Sequence, residues 1–180
     1  MESKKGEKIM EQKNVTVWFM GLPCSGKTTL ASMLNRTPTT IHLDGDVLRK
    51  GVCKDLGFSI EDRVENIRRA SAIAELLNKN GHNVTASFIT PTKDVQNLVK
   101  KTIKNLVLVY IKCDLEACIK RDVKGMYKKA QSGEIKDFTG ISAPFEEPYK
   151  PDIVCDTTEQ SSYHCWHYLE DEIPKFWRGY

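Results

Sequence analysis

The sequence has no long apolar run and no concentrated block of positive charge. No stretch of apolar residues reaches the roughly 18 that cross a bilayer, and residues 1–13 carry charges without the apolar core of a signal peptide. We therefore expect a cytoplasmic protein that does not contact a membrane. The net charge of +3 comes from basic residues spread along the chain, which argues against nucleic acid as its partner.

The sequence also lacks the paired cysteines of a zinc site or a disulfide framework. Its six cysteines are irregularly spaced, without a CxxC pair. We expect them to be reduced and mostly buried: Cys24, Cys53, Cys113, Cys118, Cys155 and Cys165. The four histidines are equally scattered, and we expect solvated or core positions for them in place of a metal site.

The composition of the sequence and the order of its apolar segments are typical of one α/β domain. The 180 residues are 40% hydrophobic and 28% charged, as in ordinary globular domains. From Val15 onward, short apolar runs alternate with longer amphipathic ones, which predicts a parallel sheet covered on both faces. We predict a flexible tail over residues 1–13 and a single domain over 14–180, with a helical lid at about 121–145.

A phosphate-binding loop follows the first predicted strand. Gly21, Gly26, Lys27 and Thr28 stand in the order G-x-x-x-x-G-K-T, between a strand and a helix, which is the context that identifies a P-loop. The glycines allow the amides to turn inward and form an anion nest at a helix N-terminus. Lys27 should reach the β- and γ-phosphates of ATP, and Thr28 should offer its hydroxyl to Mg²⁺.

This motif predicts a P-loop NTPase fold, a three-layer α/β/α sandwich. The predicted ATP-binding residues in the loop are Gly21, Leu22, Pro23, Cys24, Ser25, Gly26, Lys27, Thr28 and Thr29. Small size suffices to explain Cys24 in the loop, and a reactive thiol is the alternative.

Two carboxylates follow the second predicted strand. Asp44 ends that strand and Asp46 comes two residues later, across a glycine. Ligands of open parallel sheets bind beyond the carboxyl ends of the strands, so we expect both acids beside the P-loop. One can accept or orient the hydrogen of an acceptor hydroxyl while the other holds a water on Mg²⁺. We predict Lys27, Asp44 and Asp46 as catalytic, with Thr28 and Asp46 at the metal.

Each carboxylate also has a simpler interpretation. Asp46 could cap a short helix, and Asp44 could be a plain turn residue.

A long helix is predicted in the middle of the chain. Ser59 and Asp62 have the spacing of a capping box, and Gly81 stands just after the expected end. Apolar residues three to four apart predict one buried stripe, formed by Val64, Ile67, Ala70, Ala74 and Leu77. The other face is then expected to carry Arg63, Asn66, Arg68 and Arg69.

Longer strings of the sequence resemble the adenylylsulfate kinase family. The matching strings are GLPCSGKTTLA, LDGDVLRKGVCKDLGFSIEDRVENIRR, SFITP and RDVKGMYKKAQSGEIKDFTGISAPFEEP, in family order and at family spacing. The resemblance extends from about Val15 to Asp156, and DLGFS-x-x-DR-x-EN and K-x-FTGI are its most specific parts. It implies phosphorylation of the ribose 3′-hydroxyl of adenylyl sulfate by MgATP, in a homodimer that binds small nucleotides.

The resemblance also implies an acceptor site. Phe58 and Phe138 would stack on the two faces of the adenine, worth roughly 1–3 kcal/mol for each stacked base. Arg49, Arg63 and Asn66 would hold the phosphosulfate and the ribose, a role that suits forked guanidinium groups. The whole implied set is Asp46, Arg49, Phe58, Arg63, Asn66, Ile89, Lys124 and Phe138.

Alternatives stay open for several of these residues. The arginines could be ordinary solvated helix charges, and Phe138 could anchor a loop core. We predict stacking for Phe138 and a structural role for Phe145. Arg121 and Lys124 resemble residues of the family lid, which closes over the nucleotides and excludes water; Arg121 is predicted to bind ATP.

The sequence departs from the family pattern near the acceptor. Val47 stands where asparagine is common, and Thr92 and Lys93 stand where an arginine is common. Thr90 replaces a serine that has been proposed to be phosphorylated in the family. Direct in-line transfer needs no such residue, so Thr90 is not predicted to be catalytic.

Two other functions compete with this one. The departures are compatible with an acceptor such as cytidine diphosphoramidate, another 5′-modified nucleotide. A non-catalytic nucleotide-binding regulator is the third hypothesis. The presence of Lys27, Thr28, Asp44 and Asp46 argues against it, because a binder could dispense with the acids.

Overall fold

A computed structural model describes residues 14–34 and 39–175 of the chain. The flexible tail predicted for residues 1–13 lies outside the described residues. Among the helices that are described, none combines the length and the apolar character that a membrane span requires.

The centre of the molecule is a five-stranded parallel sheet, as the alternating pattern predicted. The strands are β1 (Thr16–Met20), β2 (Thr40–Asp44), β3 (Asn83–Ser87), β4 (Leu106–Lys112) and β5 (Ile153–Asp156). Their order in the sheet is β2-β3-β1-β4-β5, and every neighbouring pair is parallel. Strands β1 and β4 are largely apolar because helices cover both of their faces.

Helices form the two outer layers, which confirms the three-layer prediction. They are α1 (Lys27–Leu34), α2 (Gly45–Lys50), α3 (Ile60–Lys79), α4 (Lys93–Thr102), α5 (Leu115–Arg121), α6 (Met126–Gln131) and α7 (Ser162–Glu172), followed by a short 3-10 helix (Ile173–Lys175). One core lies between the sheet and α1 with α7, and the other lies between the sheet and α3 with α4. A smaller third core lies under α5 and α6.

Helix α3 begins and ends where the sequence predicted. The hydroxyl of Ser59 accepts a hydrogen bond from the backbone N–H of Asp62 at 3.1 Å. The helix ends at Lys79, and Gly81 follows with a φ of +87°, a conformation that favours glycine. The start and end signals are local, which is why they could be located from the sequence.

The buried face of α3 differs from the predicted one. Val64 is exposed, whereas Asn66 is only 5% exposed and lies on the buried side. The buried residues are Asn66, Ile67, Ala70, Ser71, Ala74 and Asn78. The prediction was wrong at Val64 and Asn66 because it counted only apolar residues, whereas three polar side chains share this face. Asn78, for example, accepts a hydrogen bond from the Thr16 hydroxyl at 2.6 Å.

The fold places the predicted catalytic segments at one edge of the sheet. The P-loop follows β1, Asp44 ends β2, and the segment from Phe88 to Pro91 follows β3. These three strands are neighbours in the sheet, so their carboxyl ends meet.

Candidate active site

The P-loop has the strained backbone that its glycines predicted. Gly21 has a φ of +153°, and a Cβ atom there would collide with the carbonyl oxygen of Ile111. Gly26 has a φ of +98°, and Cys24 also has a positive φ, of +61°. The left-handed conformation is uncommon outside glycine, so Cys24 is under backbone strain at the tip of the loop.

Lys27 is buried inside this loop among neutral oxygens. Its Nζ donates to the carbonyl of Leu22 at 2.5 Å and to the hydroxyl of Ser25 at 3.4 Å. Burial lowers the pKa of Lys27 to about 8, against the opposing influence of nearby groups that include Asp44. A buried ammonium with neutral partners favours the arrival of an anion, and a phosphate group meets that need.

Asp44 is held by hydrogen bonds at both carboxylate oxygens. Oδ1 accepts from the backbone N–H groups of Asp46 (2.9 Å) and Val47 (3.3 Å), so Asp44 is the N-cap of α2. Oδ2 accepts from the hydroxyls of Thr28 (3.0 Å) and Ser87 (2.9 Å). Burial disfavours the charge, but these hydrogen bonds outweigh it and lower the pKa of Asp44.

This geometry corrects the two simpler interpretations of the acids. The short helix α2 exists, but Asp44 caps it and Asp46 does not. Asp44 is not a plain turn residue either, because it joins the P-loop helix to β3 through Thr28 and Ser87.

Asp46 lies farther out, at the mouth of the site. Its carboxylate accepts a hydrogen bond from Nζ of Lys124, on the predicted lid. Both side chains are largely exposed, and exposed ion pairs contribute at most about 1 kcal/mol. The pair is therefore a weak link between the predicted lid and the mouth of the site. It is Asp44, not Asp46, that contacts Thr28; metal binding by Asp46 stays a prediction.

The oxygen atoms around Thr28 suit magnesium. The Thr28 hydroxyl donates its hydrogen to Asp44, which leaves its lone pairs available for a cation. Within residues 14–34 and 39–175, no cluster of histidine, cysteine and acidic side chains could chelate a metal alone. Proteins usually hold Mg²⁺ through one or two side chains, waters and substrate phosphates, and the Thr28 hydroxyl is a side chain of that kind.

The predicted lid contains α6 and packs against the P-loop. The hydroxyl of Tyr127 donates to the carbonyl of Pro23 at 3.0 Å. Asp122 accepts from the backbone N–H groups of Tyr127 and Lys128, both at 3.0 Å, and so fixes the start of α6. The lid core consists of Cys113, Cys118, Tyr127, Ala130 and Phe138.

The cysteines are mostly buried, as predicted. All six are free of disulfide bonds and five are buried.

Arg121, which is predicted to bind ATP, contacts the P-loop backbone and the segment after β5. Its guanidinium donates to the carbonyl of Thr157 at 2.5 Å and to that of Cys24, in the P-loop, at 3.4 Å. The Thr157 hydroxyl in turn donates to the carbonyl of Ser25 at 2.9 Å. Arg121 is therefore tied to the P-loop on the side of β5.

Phe58 is an exposed aromatic ring flanked by two arginines. It is 57% exposed, and the guanidinium carbons of Arg49 and Arg63 lie 4.5 and 5.9 Å from its ring centroid. Arg63 donates to the carbonyl of Phe58 at 2.9 Å, and Arg49 donates to that of Gly57 at 2.6 Å. The structure thus gathers three predicted acceptor residues around one turn.

Two further predicted acceptor residues are less exposed than Phe58. Asn66 is buried, and its Oδ1 atom has no hydrogen-bond partner among the residues that the structure describes. An unsatisfied buried oxygen is costly, so a ligand donor at this position would be favourable. Ile89 is half-buried, and its carbonyl accepts from the backbone N–H of Gly21 at 3.4 Å.

Phe138 lies inside the lid core instead of presenting its ring to solvent. It is 6% exposed and packs edge-on against Tyr127, with ring centroids 5.0 Å apart. The turn is strained as expected, since Asp137 has a φ of +53° and Gly140 of +91°. Stacking by Phe138 stays a prediction. Phe145 is half-buried against Tyr110, in agreement with the structural role predicted for it.

Arg63 joins helix α3 to the part of the predicted lid that contains Asp137 and Thr139. Its guanidinium donates to the carbonyl of Asp137 at 2.7 Å and to the hydroxyl of Thr139 at 3.3 Å. Arg63 is therefore not an ordinary solvated helix charge. It fixes the K-x-FTGI segment beside Phe58.

Thr90, which stands where the family commonly has serine, is buried and hydrogen-bonded. Its hydroxyl accepts a hydrogen bond from Nε1 of Trp18 at 2.9 Å, and its φ is +51°. A hydroxyl in this environment is closed to an incoming phosphoryl group, in agreement with the prediction that Thr90 is not catalytic. Val47 is exposed beside Asp46.

Three residues that shape the site were missed from the sequence: Ser87, Tyr127 and Thr157. A weak signal existed for Ser87, because polar residues at alternate positions are unusual in parallel strands that are buried on both faces. For Tyr127 and Thr157 we find no signal, since both act through backbone carbonyls far away in the sequence.

The chain is similar to known proteins of one family. Residues 13–156 match the family model described as adenylylsulphate kinase. The chain is 47% identical over 165 residues to the adenylyl-sulfate kinase of Clostridium acetobutylicum, covering 88% of this chain and 82% of that protein. It is 46% identical over 176 residues to the adenylyl-sulfate kinase of Prochlorococcus marinus, covering 94% and 86%.

A solved structure shows the same fold. The APS kinase of Mycobacterium tuberculosis, in complex with AMPPNP and APS, superposes with a TM-score of 0.84 at 37% identity, covering 89% of this chain and 98% of that one. The family model spans the P-loop, both carboxylates, the acceptor turn and the lid. This chain belongs to the adenylylsulphate kinase family.

Proposed function

We propose that this protein transfers the γ-phosphoryl group of MgATP to the ribose 3′-hydroxyl of adenylyl sulfate, giving 3′-phosphoadenylyl sulfate and ADP. The observation that carries the proposal is the contact between Asp44 and Thr28. It places a fixed carboxylate directly beside the P-loop, where an acceptor hydroxyl would meet the terminal phosphate. Family membership and the M. tuberculosis complex support the choice of substrates.

The ATP side of the reaction relies on positioning and charge. The P-loop amides and Lys27 would hold the β- and γ-phosphates, and anion binding would relieve the desolvation that lowers the pKa of Lys27. Arg121, tied to the loop through Cys24 and Thr157, would lie along the nucleotide. In-line phosphoryl transfer requires little covalent chemistry from the protein. The preorganised charges and hydrogen-bond donors would therefore supply most of the rate enhancement.

The metal would be held by the hydroxyl oxygen of Thr28, with Asp46 as the predicted carboxylate partner. Bound Mg²⁺ would neutralise the charge that develops on the β- and γ-phosphate oxygens. The Thr28 hydroxyl is already oriented for this, because its hydrogen points at Asp44.

Asp44 would orient the acceptor hydroxyl. Its lowered pKa keeps it a carboxylate, so it would accept the hydrogen of the 3′-hydroxyl in place of its longest present hydrogen bond, the 3.3 Å one from Val47. The acceptor oxygen would then turn a lone pair toward the phosphorus. A loose transition state needs little proton abstraction before the P–O bond forms. A weakly basic, firmly held carboxylate suits that role.

The acceptor would bind at the turn around Phe58. The ring offers an exposed face to an adenine, while Arg49 and Arg63 offer donors to the phosphosulfate. The unsatisfied Oδ1 of Asn66 would accept from a ribose hydroxyl. Lid closure over the acceptor through Lys124 and Asp46 would exclude water. A homodimer in the cytoplasm belongs to the same proposal and is supported by the family resemblance alone.

An acceptor comparison tests the proposed function. ADP release from MgATP would be measured with adenylyl sulfate and, separately, with cytidine diphosphoramidate. We expect kcat/KM to be far higher with adenylyl sulfate. No turnover of adenylyl sulfate together with good turnover of cytidine diphosphoramidate would reverse the assignment, and no turnover of either would support a non-catalytic regulator.

Replacing Phe58 with alanine is expected to raise the KM for adenylyl sulfate about 5- to 150-fold, the factor equivalent to 1–3 kcal/mol of stacking on one base. The KM for ATP should change little. Because the ring is mostly exposed, the melting temperature should also change little.

The matched control is Leu76→Ala. It truncates another exposed apolar side chain, which lies in the last turn of α3 and therefore far from Phe58. Steady-state kinetics with each substrate varied in turn would separate the two KM values. Equal increases in both KM values for Phe58→Ala would contradict a stacking role.

A further inference from the structure

A row of polar side chains stands behind Asp44, in a part of the sheet where apolar residues would be expected. Strands β2 and β3 pair in a register that places His42 opposite Thr85 and Asp44 opposite Ser87. Thr85 and Ser87 are buried. Strands covered on both faces are usually apolar, so two neighbouring polar pairs need a physical reason.

These side chains form a chain of contacts that ends at the carboxylate. The Ser87 hydroxyl lies 2.9 Å from Oδ2 of Asp44, Nε2 of His42 lies 3.4 Å from that hydroxyl, and Nδ1 of His42 lies 3.0 Å from the hydroxyl of Thr85. Ser87 and His42 therefore each have a partner on both sides, between Asp44 at one end and Thr85 at the other.

The direction of each hydrogen bond follows from counting hydrogens. Ser87 has one hydroxyl hydrogen, and the charged oxygen of Asp44 is both its nearest and its strongest acceptor. Its contact with His42 then requires an N–H at Nε2. Burial lowers the pKa of His42, which keeps the ring neutral at pH 7 with a single N–H. With that N–H on Nε2, Nδ1 would accept from the hydroxyl of Thr85, and this tautomer is part of the inference.

From this geometry we infer that His42 and Ser87 are positioning residues for Asp44. Ser87 fixes the Oδ2 atom, and His42 fixes the Ser87 hydroxyl so that its hydrogen stays on the carboxylate. Thr28 donates to the same oxygen, but it must also serve a metal, whereas Ser87 has no such second task. Strand β2 is at the edge of the described sheet, so β3 is the strand that supports Asp44 from the side. The inference rests on the proposed function.

Removal of the Ser87 hydroxyl tests the first link. Ser87→Ala is expected to lower kcat about tenfold, as loss of one hydrogen bond to a charged group would. Both KM values should stay within about twofold, because Ser87 is buried behind Asp44 and is not assigned a substrate contact. The control is Ser71→Ala, which removes a buried hydroxyl from α3, outside the site, and should leave kcat unchanged. An unchanged kcat for Ser87→Ala would overturn the inference.

A pair of substitutions tests the second link. His42→Leu removes the donor to Ser87 and should lower kcat about threefold, a smaller loss because Ser87 keeps its own bond to Asp44. His42→Gln places an amide N–H near the position of Nε2 and should restore most of the lost kcat. If both variants lose the same activity, or if neither does, His42 has no positioning role.

A spectroscopic measurement tests the hydrogen-bond direction without any turnover. The ¹⁵N chemical shifts of the His42 ring at pH 7, assigned through the signal lost in His42→Gln, should show a neutral ring protonated at Nε2. A ring protonated only at Nδ1 would reverse the direction of these hydrogen bonds and overturn the inference.

The failure of this inference can be distinguished from the failure of the proposed function. A wild-type protein that does not phosphorylate adenylyl sulfate would refute the proposed function as well. Normal wild-type turnover together with an unaffected Ser87→Ala would refute the positioning role alone.

Discussion

Replacing Lys27 with alanine is expected to lower kcat about a thousandfold, in line with the loss of a preorganised charge from a phosphoryl-transfer site. The expected effect on stability is small. The wild-type ammonium is buried among neutral oxygens and its pKa is already lowered, so its removal also removes a desolvation cost. The melting temperature should stay within about 4 °C of the wild-type value, equivalent to roughly 1 kcal/mol.

Steady-state kinetics and thermal unfolding of the same preparations would check this result. Lys79→Ala is the matched control, since Lys79 lies on the surface in an ion pair with Glu75 and has no place in the site. It should leave kcat unchanged. Near-normal kcat for Lys27→Ala would contradict the role given to the P-loop.

Asp44→Asn is expected to lower kcat at least about a hundredfold, the usual scale for a group that positions or accepts a reacting proton. The fold should be retained, because an asparagine oxygen can still accept the backbone N–H bonds that cap α2. The substitution thus removes the charge and keeps the cap.

Asp44→Ala serves as the companion variant. It should lose a similar factor in kcat and, in addition, about 1 kcal/mol of stability with the cap. Kinetics and thermal unfolding together distinguish the two effects. If Asp44→Asn turns over at the wild-type rate, the catalytic role of Asp44 is wrong and its function is only to cap the helix.

The parts of the site that could be predicted from the sequence are those encoded locally. The P-loop is a contiguous motif whose glycines and lysine are compatible with few other structures. The N-cap of α3 is likewise determined by a short segment, from Ser59 to Asp62. Asp44 could be placed near the P-loop because parallel strands present their carboxyl ends at one edge.

The parts that could not be predicted depend on which face an element turns inward. Asn66 was expected on the outer face of α3, yet it is buried, because helix rotation is set by packing against β-strands and not by apolar spacing alone. Phe138 was expected to present its ring, but the lid folds back and packs it on Tyr127. Both depend on contacts between distant segments.

The roles of hydrogen-bonding side chains were the hardest to predict. The sequence suggested Asp46 as the cap of a short helix, but the extended backbone at Asp44 makes that residue the N-cap. The support that His42 and Ser87 give to Asp44 depends on the exact register of β2 on β3, since a shift by one residue would turn these side chains to the other face.

The most direct test of the central claim is to follow the labelled γ-phosphoryl group of ATP. The purified protein would be incubated with MgATP and adenylyl sulfate, and the product would be examined by phosphorus NMR and mass spectrometry. The account predicts one new phosphomonoester on the 3′-oxygen of the ribose, with the phosphosulfate intact. Label found only in inorganic phosphate, or on another atom of the acceptor, would contradict it.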